Sequence, residues 1–580
     1  MNTITLEGKE MVNNAHLRAI KASAGSGKTY QLALNYISLL GNRVNLSVLR
    51  SIVAMTFTNK AAAEMKYRII KFLKEISFGT PEGHKLTETT GVTQENAQKW
   101  LDLILRNYDD FRVQTIDSFV FALMKAISWE IRRRPDVEPE FNISRLIQKS
   151  FDRLLLNLDN PNNRLSEIFE KALRCFLDIE QARGFNPEKH FKRRLEELFE
   201  SIEKTDSKPV SIREDLSKSL EKLEKDMNDI ATKIINICGA SLTANAYKAL
   251  SERKLDSAFF KKNHISELLK KNHKCSESIE ELNQLYLELK DKAQEYLLLL
   301  SLARLAPYTD LLSVLREEMD RLCARDGIVM PGQWLKLITE HLSLDHIPLV
   351  YLTMGERLRH FLIDEFQDTS RIQWEVLYPL IQNAISEGGS LFYVGDPKQS
   401  IYIWRSAEPG IFREVLDSFR AYQPEVKVLD TNWRSGEKIV RSNNLIFSSL
   451  SDHSFVESLI SDYFKDLGGN PVIQECAKEI ANNFQDVVQN VPSGKSGTDE
   501  GYVELLPIPG SNTEERNEEI KKLIVEKIRC MSQNGLTFSD ITVLVRTNRE
   551  ARIVFSWLWA EDIPAVTEHS LRIEKSPTVR

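Results

Sequence analysis

The spacing of hydrophobic positions changes along the chain. Between residues 17 and 130, short apolar runs such as Leu17–Ala22 and Ser51–Thr56 alternate with segments whose apolar residues recur every three or four positions. The short runs are typical of strands, and the three-to-four spacing is typical of helices. Strands that alternate with helices usually build a parallel sheet. This part of the chain is therefore predicted to be α/β.

The strand pattern nearly disappears between residues 131 and 330. Within Glu188–Ile237, leucines and isoleucines recur every three or four residues among alternating charges, which predicts amphipathic helices. We interpret their charged faces as solvated surfaces of helices that pack on one another, rather than as a DNA-binding surface. The apolar run Tyr296–Ala306 is too short for a membrane span and predicts a buried helix.

The strand pattern then returns. Runs that predict strands occur at Arg359–Asp364, Leu391–Gly395 and Val426–Asp430. Beyond a loop-like stretch at residues 490–501, three more such runs alternate with helix-like segments at Glu514–Arg529 and Arg549–Trp559. These three runs are Tyr502–Leu506, Ile541–Val545 and Ile563–Val566. We expect them to belong to a second α/β sheet.

Length and composition limit the class of protein. With 580 residues the chain is too long for one hydrophobic core, and we expect about three to five domains. The net charge of −6 provides no overall basic field for nucleic acid, although a local groove can still be basic. The six cysteines lie far apart without a C-x-x-C pair, and no stretch resembles a secretion signal or a membrane span. These features predict a cytoplasmic protein with reduced thiols and no membrane partner.

A glycine-rich run follows the first predicted strand and precedes a predicted helix. The run is Ala22-Ser23-Ala24-Gly25-Ser26-Gly27-Lys28-Thr29. Its two glycines allow backbone N–H groups to turn towards a phosphate at a helix N-terminus, which favours anions. Lys28 is expected to reach the β- and γ-phosphates of a nucleoside triphosphate, and the Thr29 hydroxyl is expected to bind Mg²⁺. The run therefore predicts a triphosphate-binding loop.

Such a loop requires an acidic partner at the end of a neighbouring strand. The apolar run at residues 360–363 leads directly into Asp364 and Glu365. We expect Asp364 to hold Mg²⁺ and Glu365 to orient and deprotonate the attacking water. A hydrophobic run that ends in two acids is weak evidence by itself, so the residues that follow it decide the interpretation.

The run Asp364–Ser370 (DEFQDTS) resembles the second motif of superfamily 1 helicases, the group that contains UvrD, Rep and the RecB/AddA recombination subunits. Four further runs resemble motifs of these enzymes in the same order. They are Thr56–Met65 (motif Ia), Val394–Arg405 (motif III), Leu429–Ser435 (motif IV) and Val543–Asn548 (motif IVa). The sequence ASAGSGKT at residues 22–29 and the short segment before it are more similar to the RecB/AddA branch than to UvrD. The resemblance covers most of the chain outside the helical segment.

The resemblance implies roles for residues within these motifs. Gln399 would sense the γ-phosphate, and Arg434 would reach it from the second motor domain. Arg405, which we count with the nucleotide-binding residues, would link Gln399 to the DNA groove. Trp433 would stack on adenine, where these enzymes usually have Tyr. The candidate DNA contacts are Thr56, Phe57, Asn59, Thr115, Ser118 and Trp404, of which the two aromatic residues would stack on unpaired bases.

Some positions leave alternatives open. Phe57 and Trp404 could be ordinary core aromatics, and Arg434 could be a surface salt-bridge residue. Asp117 stands where a His commonly precedes the family's Ser-Phe pair, so a phosphate contact from its side chain is not expected. No Gln precedes the glycine-rich loop to read adenine, so base selectivity is open.

The resemblance also implies an architecture. We expect an α/β fold of the P-loop NTPase (RecA-like) type, with a parallel sheet, a large all-α insert and part of a second RecA-like domain. Domain 1A would comprise residues 1–130 and 331–422, the helical domain 1B residues 131–330, and the part of domain 2A residues 423–580.

The implied function is that of an ATP-dependent DNA helicase motor in repair or recombination, moving 3′→5′ on single-stranded DNA. The implied cofactors are ATP and Mg²⁺. The implied partners are single-stranded or duplex DNA and a second helicase–nuclease subunit.

Two other functions remain open. One is that of a P-loop ATPase of the ABC or chromosome-cohesion kind, which also carries long charged helices. Such an ATPase requires an LSGGQ-like signature, and the sequence contains none. The other is a truncated nucleotide- and DNA-binding module that does not hydrolyse ATP, because the family's motifs V and VI are expected beyond Arg580.

Overall fold

The computed structural model describes residues 16–567 with several gaps. The gaps are 129–135, 141–142, 157, 159–163, 181–186, 206–214, 252–261, 263, 271–278, 343–346, 356, 404–405, 465–470, 495–496, 498–499 and 510–511. The chain divides into two compact units. Unit 1 comprises residues 1–435 and 443–494, and unit 2 comprises residues 436–442 and 495–580.

Unit 1 is built on a six-stranded parallel sheet. Its strands are β1 (Leu17–Ala22), β2 (Ile52–Thr56), β3 (Val113–Thr115), β6 (His360–Ile363), β7 (Ser390–Gly395) and β8 (Glu425–Leu429). Their order across the sheet is β3-β2-β6-β7-β1-β8, and every neighbouring pair is parallel. A separate parallel pair is formed by β4 (Glu138–Pro139) and β5 (Ile328–Val329). The predicted α/β fold with a parallel sheet is confirmed.

Both faces of the sheet are buried except along the edge strand β8, where Val426 and Val428 are 47% and 45% exposed. Along β1, Leu17 and Ala19 belong to the core on one face, whereas Ile20 and Ala22 belong to the core on the other. Strands β2, β6 and β7 alternate between the two cores in the same way. A parallel sheet that is covered on both faces requires apolar residues at successive positions. For this reason the strands appear in the sequence as continuous apolar runs.

Six helices lie between β1 and β4 in the part of the chain that the structure describes. They are α1 (Lys28–Leu40), α2 (Leu46–Ser51), α3 (Asn59–Phe78), α4 (Pro81–Thr90), α5 (Gln94–Arg106) and α6 (Ile116–Ala126). Helices α1, α3 and α5 cover one face of the sheet, and α6 covers the other. Threonines just after two strands cap the next helices: Thr58 accepts a hydrogen bond at the start of α3, and Thr115 accepts one at the start of α6.

A helical segment separates β4 from β5. Its helices are α7 (Ile143–Leu156), α8 (Arg164–Glu180), α9 (Pro187–Thr205), α10 (Asp215–Cys238), α11 (Ala244–Ser251) and α12 (Ile279–Asp326). Two apolar clusters hold them together, one around Phe151 and Phe191 and one around Ile234. Tyr308 of α12 lies in the first cluster and Tyr286 in the second, so this long helix joins them.

The middle of α12 differs from the sequence prediction. Leu297, Leu298, Leu302 and Leu305 of the apolar run are exposed, although we expected a buried helix. The reason is that the two clusters engage the ends of α12 and leave its middle uncovered. One 18-residue window of α12 has a mean hydropathy of 1.4 and is 17% buried, which satisfies the length and composition of a membrane span. A single helix of this kind is weak evidence for a membrane segment.

Unit 1 is completed by helices that follow β5. Four of them lie against the same face as α6: α13 (Pro331–His341), α14 (Ile347–Met354), α15 (Arg371–Ser386) and α16 (Ile411–Ser418). Two more follow β8 within unit 1, α18 (His453–Tyr463) and α19 (Pro471–Asn483), whereas α17 (Glu437–Phe447) begins in residues of unit 2 and ends in residues of unit 1.

The position of β8 corrects the sequence interpretation. We expected the segment from residue 423 onwards to begin the second sheet, whereas β8 pairs with β1 at the edge of the first sheet, with Ala19 opposite Val426. The spacing of apolar residues predicts a strand but does not state which neighbour it joins.

Unit 2 contains the two predicted helices, α20 (Thr513–Gln533) and α21 (Asn548–Ala560). Val525, Ile528, Val554, Leu558 and Ile563 form its small core. The three runs that we predicted as strands form no ladder within the described residues of unit 2, so the second sheet is not observed there. A strand requires a hydrogen-bonded neighbour, and large apolar side chains in the first two runs are exposed, as shown by Leu505 (82%) and Leu544 (90%).

Candidate nucleotide site

The glycine-rich run forms the turn between β1 and α1. Gly25 (φ +76°) and Gly27 (φ +93°) adopt left-handed backbone conformations, which glycine reaches without strain. Helix α1 begins at Lys28 with Gly27 as its N-cap, and no side chain caps it. The first N–H groups of a helix lack partners within the helix and lie at its positive end. The turn therefore presents backbone donors that suit a phosphate.

Lys28 contacts the carboxyl ends of two neighbouring strands. Its Nζ donates a hydrogen bond to Glu365 Oε2, just after β6, at 2.7 Å. It also donates to Gln399 Oε1, which follows β7, at 3.4 Å. The Lys28 side chain is 10% exposed and the Glu365 side chain is 36% exposed, so the cation of this ion pair is largely withdrawn from water while the carboxylate is partly open to it. Three residues predicted from three separate motifs thus meet at one edge of the sheet.

Asp364 and Thr29 provide the oxygen atoms that Mg²⁺ prefers. Thr29 Oγ1 donates to Asp364 Oδ2 at 3.3 Å. Burial, and then the neighbouring Glu365 carboxylate, raise the pKa of Asp364 to about 6. A bound cation would offset this cost of burying the carboxylate. The described residues contain no group of three or more His, Cys, Asp or Glu that could hold a metal.

The backbone of Glu365 is strained. Its φ of 49° and ψ of 46° lie in the left-handed region, which costs a residue with a side chain about 1 kcal/mol. Glu365 N–H donates to Asp364 Oδ1 at 3.0 Å, which stabilises this sharp turn. The turn points the two adjacent carboxylates at different partners, Asp364 at Thr29 and Glu365 at Lys28.

A hydrogen-bond network joins the end of β6 to the end of β7. Gln367 Nε2 donates to Glu365 Oε2 at 2.8 Å, while Gln367 Oε1 accepts from Asp396 N–H at 2.9 Å. Gln399 Nε2 donates to Asp396 Oδ2 at 2.6 Å. Together with the two hydrogen bonds of Lys28, these bonds form a closed ring. All its links join side chains except one, which is the Asp396 backbone N–H. A substitution of Lys28 would therefore remove hydrogen bonds to residues at the ends of both strands.

The segment after β8 lies directly against the glycine-rich turn. Asn432 Nδ2 donates to the Ala24 carbonyl at 3.2 Å, and Trp433 N–H donates to the Gly25 carbonyl at 2.9 Å. Asn432 Oδ1 accepts from the backbone N–H groups of Arg434 and Ser435 at 3.0 and 2.9 Å. Because of this turn, the Cβ atom of Arg434 lies beside Gly25 of the glycine-rich loop.

The predicted DNA contacts follow the carboxyl ends of β2 and β3. The Phe57 ring packs against Tyr402 with 4.4 Å between ring centroids, and Asn59 is exposed. Thr56 is fully buried and its hydroxyl donates to the Thr58 carbonyl, which weighs against a direct contact with DNA.

The hydroxyls of Thr115 and Ser118 lie 2.7 Å apart at the start of α6. Asp117, at the position that departs from the family pattern, accepts a hydrogen bond from Gln373 Nε2 at 2.8 Å. Trp404 and Arg405 lie outside the described residues.

Several residues of this site carried no assigned role in the sequence. Gln367, Asp396 and Asn432 lie inside the motif-like runs, so a closer comparison of those runs would have found them. Gln489 lies in no such run, yet its Nε2 donates to the Ala24 carbonyl at 2.8 Å. No sequence signal indicates this contact, since the two residues are 465 positions apart.

Comparison with protein families agrees with this geometry. Residues 5–420 match the model described as the UvrD/REP helicase N-terminal domain. The chain belongs to the UvrD/REP helicase family. The match begins before β1 and ends just before β8, so it includes the phosphate-binding turn and the acidic end of β6. The expected resemblance to superfamily 1 helicases is confirmed.

Three relatives of known description place the chain near the RecB/AddA branch of the UvrD/REP family. The "Exonuclease/helicase subunit RexA" of Lactococcus lactis subsp. cremoris is 25% identical, over 95% of this chain and 48% of the relative. An ATP-dependent helicase/nuclease subunit of Staphylococcus epidermidis is 24% identical, over 94% and 46%. The protein of the same description from Clostridium botulinum is 26% identical, over 76% and 39%. The chain thus spans less than half the length of these relatives.

We predict that Gly25→Ala weakens nucleotide binding by about tenfold or more. A Cβ at Gly25 would lie 2.6 Å from Asn432 Oδ1, in a backbone conformation that alanine rarely adopts. Gly91→Ala is the matched control, because Gly91 has a φ of +74° and nothing within 4 Å of an added Cβ. Titration with a fluorescent ADP should show weak binding for the first variant and unchanged binding for the control. Equal affinities would contradict the packing of Asn432 against the turn.

Proposed function

We propose that this chain is the ATP-binding part of a DNA translocase that couples ATP hydrolysis to movement along single-stranded DNA. The observation that supports this most strongly is the meeting of Lys28, Thr29, Asp364, Glu365 and Gln399 at the carboxyl edge of one sheet. Family membership and the names of the relatives favour the same function. They also leave the ABC or chromosome-cohesion alternative without support.

The contacts of Lys28 suggest how hydrolysis begins. Its ammonium group would move its hydrogen bonds to the β- and γ-phosphates of ATP. Glu365 would then lose its main partner and have a carboxylate oxygen available to accept a proton from the attacking water. Thr29 and Asp364 would hold Mg²⁺, which neutralises charge on the phosphates. Arg434, beside the loop, would stabilise the charge that develops on the γ-phosphate.

The same residues would connect hydrolysis to DNA. Gln399 contacts Lys28, and three positions further on Tyr402 packs against Phe57. A shift of the segment 396–402 on loss of the γ-phosphate would therefore move the Phe57–Tyr402 pair. Aromatic rings of this kind stack on bases without reading their sequence. Repeated shifts would move the protein along a strand, and the family resemblance favours 3′→5′ movement.

The wider assignment is also part of the proposal. We infer a cytoplasmic role in DNA repair or recombination, with single-stranded and duplex DNA as substrates. The relatives are named as subunits of helicase–nucleases, and by analogy this chain would work with a second subunit. We retain the helical segment as domain 1B and the second RecA-like domain as domain 2A, with β8 assigned to domain 1A.

One alternative remains, a nucleotide- and DNA-binding module that does not hydrolyse ATP. One observation keeps it open: no ladder forms in the described part of unit 2.

We predict that single-stranded DNA stimulates ATP hydrolysis by the chain and that Lys28→Ala abolishes this stimulation. The variant lacks the ammonium group that would bind the phosphates, while the DNA-contacting residues are unchanged. Phosphate release should be measured with and without an oligothymidylate. Lys99→Ala is the control, because Lys99 is a surface lysine paired with Glu95 on α5. Stimulated hydrolysis in the Lys28 variant would overturn the proposal, and a wild type that binds ATP and DNA without hydrolysis would favour the non-hydrolysing module.

We further predict that Phe57→Ala weakens binding of the oligothymidylate by about tenfold, within the ~1–3 kcal/mol typical of one base–aromatic stack. ADP affinity should not change, because β6 and β7 lie in the sheet between β2, which Phe57 follows, and β1, which leads into the glycine-rich turn. Phe78→Ala, at the far end of α3, removes a ring that is 75% exposed and serves as the control. Fluorescence anisotropy measures both variants. Unchanged DNA affinity in the Phe57 variant would remove this residue from the DNA path.

A further inference from the structure

The carbonyl groups of the glycine-rich turn are held from outside the turn. Ala24 O accepts hydrogen bonds from Asn432 Nδ2 at 3.2 Å and from Gln489 Nε2 at 2.8 Å. Gly25 O accepts one from Trp433 N–H at 2.9 Å. Three donors from two distant segments therefore bind two successive peptide groups of the loop.

Gln489 is itself held in place. Asn432 Nδ2 donates to Gln489 Oε1 at 2.9 Å. The Asn444 side chain bonds to both backbone groups of Gln489, accepting from its N–H at 2.9 Å and donating to its carbonyl at 2.8 Å. A glutamine held at its backbone and at its side-chain oxygen is fixed in the orientation in which Nε2 donates to the Ala24 carbonyl.

Asn432 uses its full hydrogen-bonding capacity. Its Nδ2 donates twice, to Ala24 O and Gln489 Oε1, and its Oδ1 accepts twice, from the N–H groups of Arg434 and Ser435. A primary amide has two donor hydrogens and two acceptor lone pairs. The side chain is only 3% exposed, so any lost partner would leave a buried polar atom unsatisfied.

These bonds determine where the loop's N–H groups point. A peptide group is planar and trans, so its N–H points away from its carbonyl oxygen. The bonds to the Ala24 carbonyl therefore set the direction of the Gly25 N–H, and the bond to the Gly25 carbonyl sets that of the Ser26 N–H. Backbone N–H groups of such a loop are the groups that bind phosphate.

We propose that Gln489 is a positioning residue of the nucleotide site, which acts by holding the Ala24 carbonyl so that the loop's N–H groups face the phosphates. The inference rests on the proposed nucleotide binding and adds a residue that no motif contains. The loop binds the β-phosphate, which ADP and ATP share. Loss of the Gln489 contact should therefore weaken the binding of ADP and of ATP by the same factor.

The test is Gln489→Met, which removes the amide while keeping the length and neutrality of the side chain. Gln485→Met is the matched control: Gln485 is exposed in the same segment, and its Nε2 donates to the Ser451 carbonyl instead. Fluorescent ADP and ATP are titrated against the whole chain, with affinity, binding stoichiometry and melting temperature recorded. We expect both dissociation constants of Gln489→Met to rise about tenfold at unchanged stoichiometry, and those of the control to stay the same.

The possible outcomes separate the inference from the function on which it rests. If Gln489→Met lowers the stoichiometry or melting temperature with unchanged dissociation constants, the residue is only structural and the inference is wrong. Wild-type affinities in Gln489→Met overturn it as well, as does a weakening of ATP alone. A wild-type chain that binds neither nucleotide would overturn the proposed function and the inference together.

Discussion

The ion pair between Lys28 and Glu365 is the interaction on which the account of this site depends. It joins residues 337 positions apart, and the parallel sheet makes this possible because β1, β7 and β6 end side by side at the same edge. The whole helical segment lies between the two residues in the chain and leaves their strands in one sheet. The largely buried Lys28 and the partly exposed Glu365 place a cation and a base where a triphosphate would bind.

Each neighbouring strand end contributes a different chemical group around this pair. The turn after β1 supplies backbone donors, the end of β6 supplies two carboxylates, and the end of β7 supplies Gln399. The strained backbone of Glu365 separates the two carboxylates, so Asp364 contacts Thr29 while Glu365 contacts Lys28. The segment after β8 adds Asn432 against the turn, which places Arg434 nearby without requiring its guanidinium to contact the loop.

Sequence reasoning succeeded where a residue's role follows from its position beside a strand. The turn at Gly25 and the acids at the end of β6 could be predicted because an apolar run precedes each of them. It failed where the partner is distant in the chain. The pairing of β8 with β1 and the exposed middle of α12 depend on tertiary neighbours, which the spacing of apolar residues does not specify. Gln489 could not be predicted, because its role arises only when the fold brings it to Ala24.

The most direct test of the Lys28–Glu365 site is single-turnover ATP hydrolysis by Glu365→Gln in the presence of saturating single-stranded DNA. Glutamine keeps the size of the side chain and cannot accept the proton from water, so ATP should bind at least as tightly as to the wild type. Hydrolysis should fall by about 100-fold or more, which is the lower limit of the range for general-base catalysis. Hydrolysis at the wild-type rate, or loss of ATP binding in the variant, would contradict the account.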